Sequence, residues 1–477
     1  MTKQQEAKRD QEIVELIHKN TLRILEELGI AFLTEESRET LRKNGVRVEG
    51  ERAYFTEKQV MDALEAATKE FTVYARNPKY NVHMNTTDIY MTPGYGSALV
   101  CELDGTVRSA VFDDFLKLSA IVQESEEFSI NGGILAQPSD IDAEIAAEVM
   151  VYTTLCRSDK ALFSVCADKQ AAENIMKMIK IVFGGNITDI PCTFNLISPL
   201  SPLGVTQNTL ETIEVCAANG QPLVIAPGNM AGATGPISIA GNVSLANAEF
   251  LGINVYAQMI RPGTPLIYGF ASTVADMRNM QASNASPGFV KEAKYGALLA
   301  KKYQVPCRSG GGMSDASGLT AQAGVESAMS MFESFTERAN LMMHATGSLH
   351  SFNTVSIEKF VLDIETFTRM KYYFSEIPAD EEALAFDAIK EVVEEEGTFV
   401  TIDHTFERCH LDPWYSQVSL HTNTKGDPNQ ALYDSIHKRI DKLMENYQCP
   451  ALPGDKRAAL DEIMCSIGMN EADMNKV

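Results

Sequence analysis

The sequence predicts an α/β protein organised around a (β/α)8, or TIM, barrel, with an N-terminal helical cap and a C-terminal helical extension. Three observations predict it. Eight short apolar runs recur between residues 89 and 345. Helical stretches of about ten or more residues separate them, which is the pattern of parallel βαβ units. Most runs end in Gly, Pro, Ser or Asn, as strands do where they pass into a loop. A count of eight favours closure into a barrel over an open sheet.

The first element is an amphipathic helix. Ile13, Leu16, Ile17, Ile24, Leu25 and Leu28 recur at helical spacing over residues 5–28, and Gly29 ends the pattern. Two shorter helices are expected over 35–44 and 57–68, completing a cap of residues 1–77 that carries nothing resembling chemistry. The barrel, residues 78–377, should place its strands at Ile89–Thr92, Phe128–Leu135, Ala161–Ala167, Cys192–Ile197, Pro222–Ala226, Pro265–Phe270, Pro306–Ser309 and Leu341–Ala345. Between the first two, Leu103-Asp104-Gly105 joins Ser97–Glu102 to Thr106–Val111. Asp-Gly supplies the positive φ of a tight turn, so a hairpin should decorate the rim. The extension, residues 378–477, should carry helices over 379–395, 428–446 and 454–466, packed on the barrel. Its acidic run Glu394-Glu395-Glu396 reads as a solvated helix end.

Composition narrows the functional classes. With 477 residues and 45% hydrophobic content, the chain can fill a large core. It carries 41 Lys+Arg against 64 Asp+Glu, a net charge of −23 with no basic stripe, so nucleic acid is not an expected partner. Neither a secretory signal nor a run of about 18 apolar residues is visible, so no membrane partner is expected. The nine cysteines are scattered singly without a CxxC pair, which points to reduced thiols in a cytoplasmic protein.

Chemistry in such a barrel belongs at the C-terminal ends of the strands. Small residues dominate there: Thr92-Pro-Gly-Tyr95-Gly96, Asn131-Gly-Gly133, Pro227-Gly-Asn229, and the run Arg308-Ser-Gly310-Gly311-Gly312-Met313-Ser-Asp315. Glycine permits close backbone approach and would leave a wide mouth. No HExxH, His–Glu cluster or cysteine pair is present, so no bound metal is expected. No lysine stands at a strand end for Schiff-base chemistry, and no GxSxG elbow or phosphate loop occurs. Gly310–Gly312 sits where many barrels hold phosphate but lacks a helix-start context, which keeps a phosphate-binding lyase as a rival reading. What remains is aromatic and cationic: Tyr95, Tyr268, Phe270, Phe352, Arg308 and His350. Aromatic faces attract quaternary ammonium, while Arg and backbone amides hold carboxylates. Together they suit a zwitterionic betaine, bound either by an enzyme or by a non-enzymatic betaine-binding barrel.

The segment from Gly235-Pro-Ile-Ser-Ile-Ala-Gly to Asn247-Ala-Glu249-Phe-Leu resembles the signature of the trimethylamine methyltransferase family. So do Arg261-Pro-Gly-Thr-Pro-Leu-Ile-Tyr-Gly269, Gly310-Gly-Gly-Met313-Ser-Asp-Ala316, Gln322-Ala-Gly324 and Ser198-Pro-Leu-Ser-Pro-Leu203, over roughly residues 10–440. The resemblance implies a barrel that moves a methyl group from an amine to the cob(I)alamin of a separate corrinoid protein, with no tightly bound cofactor of its own. Archaeal members place pyrrolysine immediately before the Ser-Asp of the seventh-strand loop, where this chain has Met313. It is therefore similar to the branch without pyrrolysine, which acts on quaternary amines: glycine betaine first, with proline betaine, carnitine, γ-butyrobetaine or choline as alternatives. A quaternary nitrogen leaves as a neutral tertiary amine and needs no acid, so catalysis would be mostly positioning. On this reading Tyr95 and Phe352 face the ammonium group, while Arg308 and the Gly310, Gly311 and Gly312 amides take the carboxylate. Met313 lines the substrate site, His350 orients or polarises the substrate, and Glu249 orders the site. A homo-oligomer is expected.

Overall fold

The computed structural model describes residues 2–84, 87–420 and 426–477. Its centre is an eight-stranded parallel sheet. The strands, in chain order, are Tyr90–Met91, Ile130–Gly132, Ala161–Phe163, Thr193–Ile197, Leu223–Ile225, Leu266–Gly269, Cys307–Gly310 and Leu341–Met343. From the second to the eighth, each pairs with its neighbour in sequence, and the first pairs with the eighth through Met91 and Met342. A parallel bridge between Met91 and Phe128 joins strand one to the segment entering strand two, which brings the sheet to near closure. All eight expected strands are present, several of them shorter than expected. Strand two stops at Gly132 because Gly132 and Gly133 both turn to positive φ, and strand eight stops at Met343 because His344 does the same.

Both faces of the sheet are buried. Ile130, Phe163, Phe194, Val224, Ile267 and Met343 point inward, while Leu162, Leu223, Ile225, Leu266, Tyr268 and Met342 pack outward. The strands therefore read as continuous apolar runs rather than alternating ones. A hairpin of Phe71–Val73 and Val82–Met84 packs against the inward set and plugs the N-terminal end of the barrel.

The helices, numbered along the chain, begin with the cap: α1 (Lys3–Glu27), α2 (Glu35–Lys43) and α3 (Glu57–Ala66). Capping boxes at Thr2 with Gln5 and at Thr56 with Gln59 fix the starts of α1 and α3. One helix follows each barrel strand: α4 (Phe112–Glu124), α5 (Ala146–Arg157), α6 (Lys169–Phe183), α7 (Gln207–Ala218), α8 (Ile239–Ile260), α9 (Pro287–Tyr303), α10 (Ala321–Thr336) and α11 (Ile357–Tyr373). In α8 every residue from Asn242 to Gln258 is buried, because the barrel covers one face and α1 and α3 the other. At Gly252 a Cβ would lie 2.4 Å from Ile30, so glycine is what lets the cap sit this close.

The cap also contains three-residue strands. Ile30–Phe32 pairs with Arg52–Tyr54, and on its other edge with Gly204–Val205 from the loop after barrel strand four. The expected rim hairpin forms at Leu99–Cys101 and Val107–Ser109, with Gly105 at φ 87°, and joins Ser348–Leu349 and Thr354–Val355 in a four-stranded sheet. The C-terminal helices are α12 (Glu381–Leu384), α13 (Phe386–Glu394), α14 (Asp403–Arg408), α15 (Pro428–Asn446), α16 (Gly454–Ser466) and α17 (Glu471–Met474). α15 packs on α4 and α11, and α16 on α5 and α6. No helix among the described residues is long and apolar enough to cross a membrane.

Candidate functional site

Arg308 is the anchor of the barrel mouth. It lies on the inward face of strand seven, opposite Leu341, and is 4% exposed. Its Nη1 donates to the carbonyl of Phe270, and its Nε lies 3.4 Å from the sulfur of Met343. No carboxylate among the described residues pairs with it, and burial draws the guanidinium down to about 10. A dry, unpaired cation is costly unless an anion completes it.

Beside it stands a histidine that the sequence reading placed inside strand eight. His344 follows that strand at φ 51°, which turns its ring into the mouth. Its Nδ1 accepts the backbone N–H of Tyr95 at 3.2 Å, leaving Nε2 as the N–H of the neutral ring. Burial, with the nearby charge of Arg308, holds His344 well below the ordinary histidine range, so the ring is neutral at physiological pH.

Rings line the wall from the barrel interior to the rim. Phe194 stacks on Phe163 at 5.9 Å, Tyr95 meets Phe163 edge-on at 5.6 Å, His344 stands 6.5 Å from Tyr95, and Phe352 lies 4.5 Å from His344. Gly133 makes room for this wall, since a Cβ there would lie 2.5 Å from the Tyr95 ring. Tyr95 and Phe352 thus both stand against the His344 ring.

The rim is held by a second set of contacts. His350, Ser351 and Phe352 run at φ 48°, 53° and 76°. Three consecutive non-glycine residues in this region are strained and persist only when neighbours over-determine them. Asp315 is one such neighbour, accepting from Ser351 Oγ at 2.7 Å, Asn284 N–H at 2.9 Å and the Ser283 hydroxyl. One carboxylate therefore ties the loops after strands six, seven and eight. His350 itself bonds through Nδ1 with Thr354 Oγ1 at 3.0 Å, on the rim hairpin.

The glycine run is wholly buried and tightly packed. A Cβ on Gly311 would lie 2.6 Å from Ala345 Cα, one on Gly312 2.2 Å from the Ala345 carbonyl, and one on Gly310 2.1 Å from the Met313 methyl. These residues let the seventh and eighth loops touch, and Met313, 1% exposed, folds its side chain back over Gly310. Beneath them Lys359 donates to Asp363 at 2.6 Å and to the Gly312 carbonyl at 2.7 Å, while Asp363 also accepts the Gly347 N–H at 2.8 Å.

Glu249 lies in the middle of α8. It accepts from Leu203 N–H at 2.7 Å and Ser201 Oγ at 2.8 Å, and burial pushes its carboxyl up to about 7. Its contacts order the strand-four loop that carries the cap's parallel strand. Tyr268 and Phe270 face outward, Tyr268 onto Phe250 at 4.2 Å and Phe270 onto Gly296, so neither ring reaches the mouth. Residues that sequence reasoning missed are His344, Phe163 and Asp315. Asp315 stood in a quoted motif, whereas His344 carried no signal beyond its place near a strand end. Among the described residues, no group of three or more His, Cys, Asp or Glu is placed to hold a metal ion.

Comparison with known proteins agrees with this architecture. The chain is 36% identical over 460 residues to a glycine betaine methyltransferase of Desulfitobacterium hafniense, covering 95% of this chain and 96% of that one. It is 28% identical over 475 residues to a proline betaine:corrinoid methyltransferase of Eubacterium limosum, covering 94% and 96%. The monomethylamine methyltransferase of Methanosarcina barkeri shares the fold at TM-score 0.54 and 12% identity, over 90% of this chain and 87% of that structure. The family model for trimethylamine methyltransferase (MTTB) matches residues 4–466, and the chain is a methyltransferase belonging to that family.

Proposed function

We propose that the protein transfers a methyl group from glycine betaine to the cob(I)alamin of a separate corrinoid protein, giving dimethylglycine and a methyl-Co(III) corrinoid. The observation that carries this reading is Arg308, a buried cation without an anion partner among the described residues, beside a wall of aromatic rings and one neutral histidine. A betaine supplies both missing pieces. Its carboxylate completes Arg308 in a charge-assisted pair, and its ammonium group meets the faces of Tyr95 and Phe352. Relatives named for glycine betaine and proline betaine, both of them carboxylated quaternary amines, support the same substrate class.

The chemistry asks little of the protein beyond position. Attack by Co(I) on a methyl carbon expels a neutral tertiary amine, so no side chain must deliver a proton. The chain's task is to fix the nitrogen and aim one methyl out of the mouth toward the acceptor. The neutral His344 suits this, since a second positive charge beside the ammonium group would repel it. Nine unpaired cysteines fit a cytoplasmic setting.

Purified protein incubated with cob(I)alamin and an amine tests the proposal by the visible spectrum of methylcobalamin. Glycine betaine should react while trimethylamine stays essentially untouched. Choline, quaternary but without a carboxylate, should be poor. Equal rates on glycine betaine and trimethylamine would refute the quaternary-amine reading, and equal rates on glycine betaine and choline would refute the role of Arg308.

A further inference from the structure

The chain leaves α11 at its C-terminus and returns to the outer face of that helix at Val418. Between Lys371 and Gln417, Ile402 is the one buried residue. Both roots of this arm are firm. At the return, Glu365 of α11 accepts the N–H groups of Gln417 at 2.9 Å and Val418 at 2.7 Å, and Trp414 donates to Thr368 at 3.2 Å. The middle is bare, yet it is rich in large apolar side chains: Ile377, Leu384, Val400, Phe406 and Leu411 are exposed. Ordering each residue costs roughly 1–2 kcal/mol of backbone entropy. A helix as short as α13, nine residues, does not hold in water alone. A fold that keeps this arm ordered needs a surface to cover it.

The arm and the barrel each present half of such an interface. On α13, Phe386, Ile389 and Val393 share one face and are 70%, 47% and 68% exposed, the spacing of a helix that lies in a groove. Asp387, Glu391 and Glu394 flank that face. Near the root of the arm, at the N-terminal end of the barrel, a cleft of about 450 Å³ is lined by Tyr90, Phe335, Phe367, Phe374, Arg338 and Lys371, with Asp88 at its edge. Arg338 and Lys371 make no ion pair with a described residue. Exposed Phe332 and Tyr373 continue the apolar surface, their rings 5.2 and 5.1 Å from that of Phe374.

We infer that residues 376–411 form an exchange arm, with α13 of one copy seated in the α10–α11 cleft of a second copy and the reverse contact completing a two-fold dimer. The apolar face meets the aromatic cleft, and the acidic flank meets Arg338 and Lys371. The contact is isologous, so it closes and does not propagate. A second copy fits better than a corrinoid protein, because the cleft lies at the opposite end of the barrel from the strand-end loops where the amine would sit. That exclusion rests on the site reading; the self-association does not.

Sedimentation velocity on the full chain tests the inference across micromolar concentrations. Wild type should sediment as an assembly of at least two chains. The pair Phe386→Glu and Ile389→Glu should weaken association at least about tenfold while far-ultraviolet circular dichroism is unchanged. Arg338→Glu with Lys371→Glu should weaken it too, and Glu391→Lys with Glu394→Lys in the same chain should restore it. A monomeric wild type, or variants that assemble as wild type does, would overturn the inference. So would an unchanged assembly in which the arm variants lose methyl transfer to a corrinoid protein but keep it to free cob(I)alamin.

Discussion

The imidazole of His344 lies 4.5 Å from the ring of Phe352 and accepts the Tyr95 N–H at 3.2 Å, so one neutral histidine joins the loops after barrel strands one and eight. The aromatic face offered to a cation is therefore held by a residue that carries no charge of its own.

Phe352→Leu should weaken betaine binding about thirtyfold. A cation over an aromatic face in a dry site gains about 2 kcal/mol, which corresponds to that factor, while leucine keeps most of the apolar volume and the fold. Calorimetric titration with glycine betaine reads the change directly. Wild-type affinity would remove Phe352 from the cage.

Arg308→Ala should be worse. Truncating one partner of a buried charge pair costs about 2–5 kcal/mol, because the other charge is left unpaired. The KM for glycine betaine should therefore rise by roughly thirtyfold to several thousandfold, whereas the slow reaction with choline should change little. A parallel loss on both substrates would instead indicate a collapsed mouth.

The two histidines should separate. His344→Ala removes the acceptor of the Tyr95 N–H and the ring packed on Phe352, and an unsatisfied buried donor alone costs about 1–3 kcal/mol. His350→Ala loses a hydrogen bond to Thr354 on a partly exposed hairpin. Steady-state KM for glycine betaine should rise at least about tenfold in the first variant and stay within a few-fold in the second. The reverse order would return the substrate-orienting role to His350.

Glu292 on α9 predicts how stability follows pH. It is fully buried, its carboxyl accepts among the described residues only from Asn242 Nδ2, at 3.0 and 3.2 Å, and burial pushes it up to about 8. In the unfolded chain a glutamate titrates near 4.3. Between those values the folded state holds a proton that the unfolded state lacks, so this group's stabilising contribution is complete at low pH and is lost as pH rises toward 8. Glu292→Gln, neutral throughout, should flatten the dependence. Urea midpoints near pH 6 and near pH 9 check this, and an equal fall in variant and wild type would contradict it.

The barrel was legible because each strand is a short apolar run ended by a loop signal, and that pattern survives without side-chain contacts. The cap strands were not, since three residues such as Ile30–Phe32 are too few to show a period, and their partner Gly204–Val205 lies far along the chain. At the mouth, Tyr95, Arg308 and Phe352 could be named from residue type and position. His344 could not, because its orientation depends on a positive φ that nothing in Met343-His344-Ala345 announces. The glycine run was visible as glycine, but whether its space is filled by ligand or by Ala345 depends on the neighbouring loop. Glu249 was visible inside a motif, while its partners Ser201 and Leu203 are fixed only by the tertiary fold.

The hairpin of Phe71–Val73 and Val82–Met84 has a kinetic consequence. It seals the floor of the barrel with apolar side chains, so in the proposed reaction a small amine would enter and leave by the same opening that a bulky methyl acceptor covers. Under the proposed reaction the amine has to be seated first, and the demethylated amine can depart only after the acceptor has gone. Turnover then follows a compulsory order in which dimethylglycine competes with glycine betaine, whereas the methylated acceptor does not.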